Sequence, residues 1–298
     1  MERETLLSIL IMLLGGLALQ PLACLPSRDL PGAGARGLER RSWLRLWYPV
    51  IPLLLVTAWL CGWALVEPDP VRDSLNPWVV VASGMPFVLL FVRAAARAAW
   101  AALRQPPEYG VSTVGLLRPM ILFSPFLAKQ LDDGVIRAAL AHERAHAMHR
   151  DPLRILLAQL ITDLQWPWPS ARRRFEVWLM ALELARDEEA RVGGADGADL
   201  AAAMVAFVRC LGRATPEERA SLGATQLAHA RLIGDSRTLK QRVSRLLAPL
   251  PQGQDAGGRG PLGFERAALL ILAMLLIALA LGVLYGERVM HPLLALTS

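Results

Sequence analysis

The chain has 298 residues, of which 54% are hydrophobic and only 19% charged, too apolar for an ordinary soluble domain. Its net charge of +6 comes almost wholly from arginine, since Lys129 and Lys240 are the only lysines, and no basic run is interleaved with aromatic residues as nucleic-acid binding requires. The three cysteines, Cys24, Cys61 and Cys210, have no C-x-x-C spacing and call for no disulfide.

In chain order, the first feature is a charge-free stretch, Thr5 to Ser27, long enough to cross a bilayer. The residues before it, Met1-Glu2-Arg3-Glu4, carry net negative charge, the reverse of a signal peptide, so a retained helix is expected. A second span is expected over Leu46 to Val66, with Trp47, Tyr48, Trp59 and Trp63 toward its ends, and a third from about Trp78 to Val92. A fourth runs from Ala267 to Tyr285. Arginines dominate the first loop (Arg28, Arg36, Arg40, Arg41 and Arg45), whereas Glu67, Asp69 and Asp73 dominate the second. The positive-inside rule then places the first and third loops in the cytoplasm of a bacterial inner membrane protein, with both termini outside.

The expected organisation is thus a membrane region over residues 1–100 (spans at about 5–25, 46–66 and 77–97) and a domain over 101–248. A flexible linker over 249–265 and a last span with a short tail over 266–298 complete it. The fold class is mainly α, with a small α+β domain in the third, cytoplasmic loop. That domain opens with "VSTVGLLRPMILFSP", Val111 to Pro125, read as a β stretch confined to an edge by Pro119 and Pro125. Such an edge can pair with an extended substrate, here through Val114, Gly115 and Leu116, although a purely structural hairpin edge fits as well.

Next comes "AHERAHAMHRD", Ala141 to Asp151, on a helix for which Asp132 or Asp133 is the expected N-cap. His142 and His146, four residues apart, share a helix face and can meet one zinc ion, with Glu143 beside them as general base. Zinc catalysis wants a third protein ligand. His149 lies on the same face but about 10 Å along the axis from His142, too far to converge. In "RRRFEVWLMALELARDEEARV", Glu183 stands on an apolar face with Asp187 one turn later. Spacing alone leaves open whether Glu183 meets a metal or pairs with Arg186 or Arg174; Asp187 is suited to support a ligating histidine.

The segments "HERAHAMHRD" and "WPWPSARRRFEVWLMALELARDEEA" resemble the membrane metallopeptidases of the BlaR/MecR antirepressor type over about Tyr109 to Ala248. The resemblance implies a zincin-like fold, zinc as cofactor, His142, His146 and Glu183 as ligands, Glu143 as catalytic base and Asp187 as a supporting residue. It also implies a cytosolic or membrane-proximal protein substrate, a transcriptional repressor among the candidates. Arg144 and Arg186 depart from the family's usual residues at non-ligand positions. Only "GERVMHPLLALTS" follows the last span, so β-lactam sensing is not expected to carry over. An HtpX-type quality-control protease shares this ligand set, and a non-cleaving membrane scaffold is the alternative of another class. The expected partners are the lipid bilayer and a protein substrate, without direct nucleic-acid binding; a homo-oligomer is left open. "PLRILLAQLITDLQW", from Pro152, reads as amphipathic and packed against protein or membrane, and "GGADG", from Gly193, as a turn. "RTLKQRVSRLL" reads as a basic amphipathic helix packed near the membrane, with a role for Arg242 or for His229 in catalysis the lesser expectation.

Overall fold

A computed structural model describes residues 34–66, 111–123, 131–165, 168–213, 236–250 and 262–295, with isolated positions between 19 and 24 and between 78 and 96. Among these the elements are α1 (Ala35–Trp47), α2 (Ile51–Ala64), β1 (Val111–Val114), β2 (Met120–Phe123), α3 (Asp133–Met148), α4 (Asp151–Leu164), α5 (Pro169–Val192), α6 (Gly197–Arg213), α7 (Ser236–Leu247) and α8 (Leu262–Ala295). The first and third expected spans lie largely outside the described residues, as does His229.

The expected second span is not one straight helix. Pro49 and Pro52 interrupt it, since proline lacks the N–H that would continue a helix and is tolerated only in the first turn, where Pro52 sits in α2. Leu46 and Trp47 therefore end α1, and α2 starts afresh with its axis bent by 49°. At 14 residues α2 is only about 21 Å long, short of the roughly 30 Å of a bilayer's hydrocarbon core. Within α8, Leu269–Gly286 is long and apolar enough to cross a membrane, and α1 and α2 meet that test only when taken together.

α2 and α8 pack against each other at backbone distance. A Cβ added to Gly62 would lie 2.0 Å from the Leu279 carbonyl oxygen, and one added to Gly282 would lie 2.0 Å from that of Trp59. Gly286, one turn beyond Gly282, faces the Trp63 ring. This small-xxx-small spacing lets apolar helices associate by van der Waals contact. The outward side of α8 leaves Leu269, Leu270, Leu272, Leu276 and Ile277 exposed, as a lipid-facing surface would.

The first loop is a second correction to the expected boundaries: from Ala35 onward it is α1, packed on α4 and α5 as part of the helical body. Its sequence explains this. Ala35, Glu39, Ser42, Trp43 and Leu46 recur at three- and four-residue intervals and are buried, while Arg40 points outward. Trp43 packs against Trp178 of α5, ring centroids 5.0 Å apart and planes tilted by 47°, within a core that includes Leu46, Ile155, Ala158, Ile161 and Leu182. Burying one indole contributes roughly 5 kcal/mol, from about 200 Å² at about 25 cal/mol per Å². Residues 35–47 and 151–192 therefore belong to one packed helical body. The segment from Pro152 is the packed helix α4, and a turn through Gly193 and Gly194 (φ +96°) joins α5 to α6.

A second core, of Ala138, Ala190, Leu200, Ala201, Met204 and Leu246, joins α3, α5, α6 and α7. The expected β stretch contains an antiparallel hairpin with Val114 opposite Met120 and Thr113 opposite Ile121. Gly115, at φ +93°, makes the turn that a residue with a side chain would enter only under strain.

Candidate metal centre

α3 begins after Asp132, whose extended backbone (φ −66°, ψ 149°) occupies the N-cap position, with Asp133 in the first turn where the helix dipole favours an acid. It ends at His149. Arg150 then takes a left-handed conformation (φ 51°, ψ 43°), an uncommon one outside glycine that costs roughly 1–2 kcal/mol. That single residue turns the chain back, so that Asp151, at the start of α4, faces His146 on the turn before it.

His142 and His146 face the same way, as their spacing requires, with Nε2 atoms 3.0 Å apart. α5 brings Glu183 to them from a different direction: its Oε2 lies 3.5 Å from His142 Nε2 and its Oε1 3.8 Å from His146 Nε2. A tetrahedral ion with bonds of about 2.0–2.1 Å spaces its ligands by roughly 3.3 Å. The donors approach that spacing, with a different Glu183 oxygen nearest each imidazole, and one ligand atom from each residue lies within 4.8 Å of the others.

The other ring nitrogens are held by carboxylates. His146 Nδ1 donates to Asp151 Oδ2 at 2.8 Å, and His142 Nδ1 lies 3.0 Å from Asp187 Oδ1. With protons on both Nδ1 atoms, two imidazole lone pairs would confront each other at 3.0 Å, an arrangement that needs a cation between them, a metal ion or a proton. The electrostatics point the same way. Burial disfavours charge on His142, yet Asp187 and Glu183 outweigh it and push its pKa up to about 10. Burial likewise raises Asp187, but Arg242 and His142 prevail and hold it at about 2. Asp151 is held far below the carboxylate range, against its burial, by Arg186, His146 and Arg154.

Glu143, only 6% exposed, lies on the wall of a cavity also lined by His142, Glu183, Asp187 and Arg242 and by the apolar Val111, Leu200, Met204 and Phe207. The Thr113 hydroxyl lies 2.7 Å from Glu143 Oε2 and 2.9 Å from the Glu143 carbonyl oxygen. In the hairpin, then, the residues that reach the site are Val111 and Thr113. Of the expected substrate strand, Val114 ends β1, whereas Gly115 and Leu116 belong to the turn.

His149 stands apart from the ligand group, its Nε2 2.9 Å from Glu189 Oε2. Nor does Glu183 pair with Arg186 or Arg174: Arg186 serves Asp151 and Glu189, and Arg174 serves Gln20 and Gln165. Arg242, for which a site role was the lesser expectation, lies at the centre. The packing of α7 on α5 and α6 brings its buried guanidinium to Asp187 through two 2.8 Å hydrogen bonds and to within 3.1 Å of Glu183 Oε2. Asp151 and Thr113 are the residues that spacing does not assign. For Asp151 there is a signal, a charge directly ahead of the apolar run from Pro152, whereas a threonine in a β stretch carries none. No protein-family model, curated protein or solved structure matches the chain.

Proposed function

We propose that the chain is a membrane-attached, zinc-dependent metalloendopeptidase, with His142, His146 and Glu183 holding the ion. The observation that carries this reading is the convergence of two Nε2 atoms and one carboxylate within 4.8 Å of one another, with a second carboxylate beside them on the cavity wall. Zinc bound there would supply Lewis-acid polarisation of a peptide carbonyl and make water acidic enough to deprotonate near neutrality. Glu143, held by Thr113, takes the proton from the attacking water and returns it to the leaving amine. Asp187 and Asp151 keep the two imidazoles in the tautomer that offers Nε2.

The resemblance to BlaR/MecR-type peptidases supports a cytosolic or membrane-proximal protein substrate, a repressor being one candidate. The packing of the arginine-rich α1 beside α5 supports placing the site on the cytoplasmic face of a four-span protein. A reporter fused at Asp73 is then exported and one at Gly257 retained; export at Gly257 would reverse the sidedness. The test of the activity is metal analysis and peptide hydrolysis by the purified chain and its Glu143→Gln variant. Retained zinc with hydrolysis lost supports the reading, and hydrolysis undiminished in the variant would overturn it.

A further inference from the structure

Behind His146 a buried ion cluster reaches out of the metal centre to the first helix. Asp151 is fully buried and serves three partners. Its Oδ2 accepts from His146 Nδ1 at 2.8 Å and from Arg186 Nε at 2.6 Å. Its Oδ1 accepts from Arg154 Nη1 at 2.9 Å and from Arg186 Nη2 at 3.1 Å. One carboxylate thus faces two guanidinium groups, an excess of positive charge one side chain away from a metal ligand. Arg186 has Glu189 as a second partner at 3.2 Å. Arg154 finds its second carboxylate on another element: its Nη2 donates to Oε1 of Glu39, on α1. Glu39 is 7% exposed and Arg154 6%, so water does little to screen this charge. Nor is Arg154 placed to swing aside, because its guanidinium carbon lies 5.2 Å from the Trp43 ring centroid and 5.8 Å from that of Trp178.

We propose that Glu39 is a positioning residue for the metal centre, acting through Arg154 and Asp151 on the imidazole of His146. This rests on the zinc reading of the site and adds a part of the chain that reading does not use. With the Glu39 carboxylate in place, the charge of Arg154 is shared between two acceptors, and Asp151 remains a strong acceptor for His146 Nδ1–H. Without it, Arg154 draws more strongly on Asp151. Asp151 then polarises the imidazole less, and uncompensated positive charge stands behind a ligand that must bind a cation. Because α1 runs on into α2, and α2 is clasped by α8, the affinity for metal becomes sensitive to how the membrane-proximal helices sit.

The experiment measures zinc affinity of the full-length protein in detergent by competition with a chelating indicator, alongside helix content. Glu39→Gln, which keeps the shape and removes the charge, is expected to weaken zinc binding ~10-fold, the low end of what outer partners of a ligand cost. Glu39→Asp should lose less than Glu39→Gln. The double variant Glu39→Gln/Arg154→Gln, in which both charges are gone, should recover most of the loss; a purely structural role for Glu39 would predict a further loss instead. Should Glu39→Gln not accumulate, Glu39→Asp and the double variant decide by the same ordering. Affinity in Glu39→Gln within about 2-fold of wild type, or a double variant weaker than the single, overturns the proposal. Wild-type protein that binds no zinc would sink the reading of the site itself, a result separable from both.

Discussion

The hydroxyl of Thr113 sits 2.7 Å from one carboxylate oxygen of Glu143 and 2.9 Å from the carbonyl oxygen of the same residue. It has one proton to give. Donated to the carboxylate, it fixes the side chain against the cavity wall; donated to the carbonyl, it leaves the hydroxyl oxygen free to accept from a protonated Glu143. Thr113→Val removes both options at nearly constant volume and should lower kcat about 10- to 100-fold with zinc content unchanged, the usual range for losing a partner of a catalytic group. Thr113→Ser should retain most of the rate. Equal rates for the valine and serine variants would contradict the role.

Two residues compete for the third ligand position, and their surroundings differ. Glu183 lies 3.5 and 3.8 Å from the two imidazole nitrogens, whereas His149 turns to Glu189 on the far side of the helix end. Glu183→Ala is therefore expected to weaken zinc binding by at least ~10-fold and His149→Ala to change it little. Zinc titration of the purified variants distinguishes the rivals, and the opposite ordering would refute the assignment.

What was legible in the sequence followed from short-range periodicity. The i, i+4 spacing of His142 and His146 sets their common face whatever the rest of the fold does, and Glu183 stood out as a carboxylate among apolar neighbours. The partners that came from other elements were not legible: Glu39 and Arg154 are 115 residues apart, and Arg242 and Asp187 are 55 apart. Hydropathy alone did not reveal the break within Leu46 to Val66, since a core-facing helix end and the helix that follows it are equally apolar. The prolines at 49 and 52 were the better guide. Of the hairpin, the prolines at 119 and 125 suggested an edge, but Gly115, the one residue suited to φ +93°, marked the turn.

The pairing of α2 with α8 depends on the absence of side chains at its crossing. Gly282→Val would drive a Cβ into the Trp59 carbonyl, which cannot yield without moving the helix backbone. The cost is expected at about 1–3 kcal/mol, the range for overpacking a tight interface. Ala280→Val, on an exposed position of the same helix, should cost far less. Unfolding midpoints in detergent compare the two, and equal losses would argue against a glycine-mediated crossing.

The last expectation concerns pH and follows from the cation that the site demands. In the metal-free protein His142 is raised from 6.5 to about 10, because Asp187 and Glu183 favour its charged form more than burial disfavours it. A group whose folded pKa is raised adds stability that is complete below its unfolded value and is lost as pH climbs through the folded one. The metal-free protein should therefore lose thermal stability progressively between about pH 6.5 and pH 10. Zinc replaces that proton, so the loaded protein should show little of this alkaline decline, and binding near pH 8 should release close to one proton from His142. Calorimetric titration in buffers of different ionisation enthalpy counts the proton, and thermal scans of both forms trace the limb. His142→Asn should flatten the metal-free profile. A decline of equal steepness in the zinc-loaded protein, or zinc uptake without proton release, would show that His142 is neutral before the metal arrives and that the paired carboxylates do not hold a proton in its place.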